Sequence, residues 1–167
     1  MNAFPKKILL LIVLFFCAAE LCFFLVLTSD KKSDASVSAR DFAAEEVNRA
    51  LVLRFYEQFF NEHQTAEAAR LLAEDYRQHN PTVPDGRAPV VGYFTQFFKD
   101  NPQSRARIVR SATDGDLVYL HIHSTNGPAD RGVAVVDIFR VKDGLIVEHW
   151  DVIQPVPAES ANSNTMF

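Results

Sequence analysis

Gly132-Val133-Ala134-Val135-Val136-Asp137-Ile138-Phe139-Arg140 runs through a tight Asp143-Gly144 turn into Leu145-Ile146-Val147-Glu148-His149-Trp150-Asp151-Val152. β-Branched and aromatic residues dominate both stretches, and Asp-Gly is a hairpin signal, so they read as adjacent antiparallel strands. Between Asp137 and Asp151 the pair carries two Asp, one Glu and one His. A buried carboxylate is costly unless it is paired or hydrogen-bonded. Ionisable groups set into apolar strands are therefore expected to line a pocket.

Working outward, Arg105 to Thr113 and Leu117 to Ser124 read as two further strands joined by an Asp114-Gly115 turn. The four strands form a meander, with Pro155 and Pro157 closing the last. Upstream the period changes from two to about four. Asp41 can cap a helix to about Asn61, with Val47, Leu51, Phe55 and Phe59 as its apolar stripe and Val52 and Tyr56 beside it. Thr65 can cap a shorter helix whose inner face is Ala69, Leu72 and Ala73. Asp75 to Pro81 reads as a short extended piece, since Pro81 biases Asn80 away from helix. A third helix starts near Pro89, buries Val90, Phe94, Phe97 and Phe98, and stops before Pro102. Three helices followed by a meander predict an α+β domain, with the helices on one face of a curved antiparallel sheet. A hollow under such helices is a natural ligand site.

Side chains alternate along a strand. Tyr119, His121 and His123 share one face, opposite Val118, Leu120 and Ile122. Val133, Val135, Asp137, Phe139 and Val141 share another. In the last strand His149 and Asp151 go with Leu145 and Val147, and Glu148 and Trp150 go with Ile146 and Val152. Alternation leaves open which of these two sets points inward.

Three segments, Tyr76-Arg77-Gln78-His79-Asn80-Pro81, Gly132 to Arg140, and Asp143 to Val152, resemble the SnoaL-like polyketide cyclases of the NTF2-like superfamily. The likeness spans roughly residues 41 to 157. It implies an NTF2-like cone with a deep pocket and no cofactor. It also implies intramolecular aldol chemistry, in which an Asp and a His exchange protons with a small apolar carbonyl compound. Asp137 is the expected base, and His121, His123, His149 and Asp151 are the other acid–base candidates. His79 at the rim and Tyr93, Phe97, Phe139 and Trp150 as walls are the expected substrate contacts. A homodimer through the outer sheet face is expected, and a non-catalytic binding or dimerisation module is the alternative reading.

The bland readings are concrete too. Asp137 could pair with Arg110 or Arg140 across the sheet, and His121 and His123 could be ordinary half-exposed strand residues. His121 and His123 could also ligate a metal, but without cysteines and with few third ligands no metal site is expected. No Ser-His-Asp order, Gly-rich phosphate loop or Cys-His pair is present.

The remaining segments are set by composition. Residues 8–27 are apolar apart from Glu20, long enough to span a hydrocarbon core of about 30 Å. Residues 1–29 are therefore expected to be a signal anchor or a cleaved signal peptide, with the domain outside the cytoplasm. Residues 30–38 read as a polar linker, 39–157 as the domain and 158–167 as a flexible tail. Both cysteines, Cys17 and Cys22, fall in the apolar segment, so the domain has neither disulfide nor thiol chemistry. From Ser38 onward 18 acidic residues face 13 basic ones, a net of −5 with His neutral, and nucleic-acid binding is not expected.

Overall fold

The computed structural model describes residues 39–167. The expected membrane segment and linker lie outside these residues. Among the described residues no helix is long and apolar enough to cross a membrane.

Helix α1 spans Phe42–Tyr56. The Asp41 side chain caps it, accepting from the backbone N–H groups of Ala43 and Ala44 at 3.1 and 3.0 Å. A π-helical turn, Glu57–Asn61, prolongs it. The wider turn shifts the helical register, so that Phe59 is buried with Phe60 half-buried beside it. The buried stripe is Val52, Phe55, Tyr56 and Phe59, whereas Val47, expected in it, is 67% exposed. A short helix α2, Thr65–Ala68, ends in a 3₁₀ turn at Leu71. Leu72 and Ala73, expected on that helix, instead open strand β1, Leu72–Gln78. Helix α3 covers Arg87–Asp100 and buries Val90 and Phe98.

Strands β2 (Arg105–Asp114), β3 (Leu117–Thr125), β4 (Val133–Lys142) and β5 (Leu145–Pro155) follow. The sheet order is β1-β5-β4-β3-β2. The sheet is therefore mixed, not wholly antiparallel as expected. β1 joins the far edge parallel to β5, with Arg77 opposite Glu148 and Gln78 opposite His149. Parallel pairing between segments so far apart leaves no hairpin signal in the sequence.

The core lies between the helices and the inner face of the sheet, where Val118, Leu120, Ile122 and Ile146 are fully buried. One buried carboxylate outside it ties helix to sheet. Glu45 on α1 accepts from Arg40 Nε at 2.5 Å, Thr113 Oγ1 at 2.8 Å and the Gly115 N–H at 3.0 Å. Arg40 also bonds the Thr113 carbonyl. The Arg40 hydrogen bond, opposed by burial and helped by Gly115 and Thr113, pulls the Glu45 carboxyl from 4.5 down to about 2. A depressed carboxyl pKa stabilises the fold above the unfolded-state value, and the gain disappears as pH falls from about 4.5 toward 2. Glu45→Gln is therefore expected to lower Tm at neutral pH and to flatten the acid limb. Parallel Tm–pH curves for the two proteins would remove this role.

Candidate functional site

Asp137 sits mid-strand on β4 with Val135, Phe139 and Val141, all buried on the inner face. Regular alternation would put Ile146 and His149 on opposite faces of β5. A register irregularity between Arg140 and Val141 breaks that alternation. Ile146 and His149 consequently both point inward, and Asp151 faces the cavity beside them. The inward set is therefore His149 and Asp151, while Glu148 and Trp150 lie outside.

Asp137 is 5% exposed and both its oxygens are engaged. Tyr56 Oη, from α1, donates to Oδ2 at 2.8 Å, and His149 Nε2 lies 3.1 Å from Oδ1. Nδ1 of His149 meets Gln78 Oε1 at 2.8 Å. Asp151 Oδ2 accepts from Asn80 Nδ2 at 2.6 Å, and its other oxygen has no protein partner among the described residues. Asp137, His149 and Asp151 each bring one ligand-type atom within 4.8 Å of the others. That spacing would suit a cation, although both His149 nitrogens already have protein partners. Burial, followed by the charge of Asp137, raises the Tyr56 and Tyr76 phenols well above their ordinary value. Both therefore stay protonated and act as neutral donors.

These groups line a cavity of about 170 Å³. Its other walls are mainly apolar, and Phe55, Phe59, Phe94, Phe97, Phe98 and Phe139 are the large aromatic part of them. Phe59 packs edge-on against Phe94 at 5.4 Å between ring centroids.

Of the residues expected to carry chemistry, the structure brings together Asp137, His149 and Asp151, with Phe97 and Phe139 as walls. His121 and His123 project from the opposite side of β3 from the buried Leu120 and Ile122. His121 Nδ1 meets Arg110 Nη1 at 2.7 Å, His123 Nε2 meets the Arg131 carbonyl at 2.8 Å, and both rings stack on Phe167. Tyr93 is 54% exposed and stacks on Phe97 away from the cavity. His79 and Trp150 form an outer cluster, their rings stacked 4.7 Å apart. There Glu148 bonds both His79 and Arg140, at 2.8 and 2.9 Å. These two contacts, His79 first, hold the Glu148 carboxyl below its usual value against the cost of burial.

Tyr56, Tyr76, Gln78 and Asn80 are site residues that the sequence reading did not single out. Tyr56 was legible as a neighbour of the apolar stripe, and a phenol there needs a partner. The amides of Gln78 and Asn80 give no such signal.

The domain model described as SnoaL-like domain matches residues 52–149. The chain belongs to the SnoaL-like domain family. Similar solved structures show the fold of that family and, at these identities, nothing finer. A Kribbella flavida protein provisionally described as a ketosteroid isomerase has 24% identity and a TM-score of 0.57, covering 71% of this chain and 85% of its own. An NTF2-like protein of unknown function from Mesorhizobium loti has 24% identity and a TM-score of 0.56, covering 69% and 97%. A Bacillus cereus protein provisionally described as a polyketide cyclase has 23% identity and a TM-score of 0.54, covering 64% and 74%. No curated protein matches the chain.

Proposed function

We propose that this SnoaL-like domain is an acid–base catalyst that enolises a small, mainly apolar carbonyl compound. One observation carries the reading: a carboxylate–imidazole–carboxylate cluster lies on one wall of a largely apolar, aromatic-rich hollow. The unbonded oxygen of Asp151 takes the proton α to the carbonyl. Tyr76, whose hydroxyl proton has no acceptor among the described residues, donates to the forming enolate oxygen. The enolate carbon then attacks a second carbonyl of the same molecule, the His149–Asp137 pair protonates the resulting alkoxide, and the proton held by Asp151, within 4.8 Å, passes back to the pair to restore the starting state. Without a second carbonyl, the proton returns to the same carbon as simple exchange, or, in a β,γ-unsaturated ketone, at the γ carbon to give the conjugated isomer. The names of two fold relatives, ketosteroid isomerase and polyketide cyclase, agree with this reaction class.

Size narrows the substrate. An engineered cavity of about 150 Å³ holds a benzene-sized molecule, so a volume of about 170 Å³ suits one ring, or two where a ring protrudes. The test is exchange of α-protons of small cyclic and aryl ketones in D₂O, followed by proton NMR. No exchange above the buffer rate across the panel overturns the reading.

A second reading, a dimerisation module, rests on Val136 and Val152. They are cross-strand partners, 41% and 69% exposed on the outer face of the sheet. If this face is an interface, the domain sediments as a dimer at micromolar concentration and Val152→Glu dissociates it. A monomer at every concentration removes this reading.

A further inference from the structure

We infer that Gln78 is a positioning residue that fixes the tautomer of His149 and limits the His149–Asp137 contact to a single shared proton. The inference begins with a group whose role is unambiguous. The backbone N–H of Asn80 can only donate, and it reaches the Gln78 side chain at 3.0 Å. The atom it meets must therefore be the amide oxygen, which settles the orientation of that amide. The same oxygen lies 2.8 Å from His149 Nδ1. An amide oxygen only accepts, so Nδ1 carries a hydrogen.

The rest follows by counting protons. Nε2 of His149 faces Asp137 Oδ1 at 3.1 Å. Without a hydrogen between them, a ring lone pair would confront a carboxylate. One proton therefore sits in the contact, giving either imidazolium with carboxylate or imidazole with carboxylic acid. Tyr56 already supplies a proton to the other oxygen of Asp137. In either form Asp137 is closed to further protons, and the pair can only release one.

Asn80 completes the arrangement by the same logic. The backbone N–H and the hydroxyl of Thr82 both donate to Asn80 Oδ1, at 2.9 and 2.6 Å. The amide nitrogen is thereby turned toward Asp151, which it binds at 2.6 Å. The end of β1 thus sets one group of the cluster to give a proton and leaves the other open to take one. That division of labour rests on the enolisation reading, whereas the tautomer does not.

The backbone explains why Gln78 reaches His149. The two are parallel register partners, and the His79 N–H donates to the His149 carbonyl at 2.9 Å.

The experiment is nitrogen NMR of the full chain with ¹⁵N-labelled histidine, the His149 signals being assigned by difference from His149→Asn. The expected result is a protonated Nδ1 in the wild type. In Gln78→Leu the Nδ1 hydrogen is lost, the proton shared with Asp137 stays on Nε2, and Nδ1 becomes unprotonated. Gln78→Glu retains an acceptor and restores the wild-type pattern. The rate of aldol-type closure is expected to fall about 10- to 100-fold in Gln78→Leu, with KM little changed and α-proton exchange, which Asp151 drives, affected less. An unprotonated Nδ1 in the wild type overturns the inference even if Gln78→Leu does not fold, and so does an unaltered Nδ1 in a folded Gln78→Leu. A protonated Nδ1 without ketone exchange leaves the positioning role intact and removes only the proposed reaction.

Discussion

Replacing Asp151 with Asn is expected to slow α-proton exchange by about 10²- to 10⁴-fold, the range for loss of a positioned acid–base group. Ligand affinity should stay within a few-fold, because the amide has the shape of the acid and its oxygen can still accept from Asn80. The loss should fall on kcat, as for an interaction that matters only in the transition state. Asp137→Asn is the informative contrast. An amide there can accept from Tyr56 and donate to His149, so the geometry survives, but the pair no longer holds a transferable proton. Aldol-type closure should suffer more than simple exchange in that variant. If Asp151→Asn exchanges at the wild-type rate while Asp137→Asn is inactive, the base is Asp137, as the sequence alone suggested.

Phe59→Ala is expected to destabilise the domain by about 3–5 kcal/mol, the usual cost of emptying an aromatic core position. Phe59 is 1% exposed and contacts the rings of Phe55, Phe60, Phe94 and Phe98 with centroids 5.0 to 6.2 Å apart. The deleted ring also forms part of the cavity wall. The void it leaves should therefore join the pocket instead of closing. A compact aromatic ligand that fills it should recover part of the lost stability, by RT ln(1 + [L]/Kd). Thermal unfolding with and without such a ligand checks both effects. A loss below about 1 kcal/mol would mean the cluster collapses around the gap and is not a rigid wall.

Much of this arrangement can be read from the chain. The inward position of Asp137 follows from its alternation with Val135 and Phe139. The Asp41 cap and the Phe55–Phe59 stripe locate α1. The failures have local causes. The sequence suggests His121 and His123 as acid–base groups, yet the uniformly apolar set Val118, Leu120 and Ile122 fills the inner face of β3 and puts both imidazoles outside. Extending the stripe back by fours from Phe55 places Val47 in the core, although the face that α1 buries near its start runs through Glu45 and Val52 and turns Val47 to solvent. Leu72 and Ala73 suit a helix face as well as a strand, and only the long-range pairing with β5 decides between them. The irregularity in β5 shifts the alternation by one, which no periodicity argument anticipates. Gln78 and Asn80 lie in an extended piece that carries part of the family resemblance, but nothing in the sequence marks either as a site residue. Their role comes from the register opposite His149 and from backbone donors two residues away, not from side-chain chemistry visible in one dimension.

The parallel docking of β1 on β5 also has a bearing on biogenesis. Gln78 meets His149 across 70 intervening residues, so the ring of contacts around the hollow cannot close until almost the whole chain has left the ribosome. Topologies dominated by such distant pairings are slow to form. A nascent polypeptide halted before residue 145 would hold its helices and strands β2, β3 and β4 while lacking any competent pocket. Exposed aromatic surface in that interval is where a chaperone would engage it.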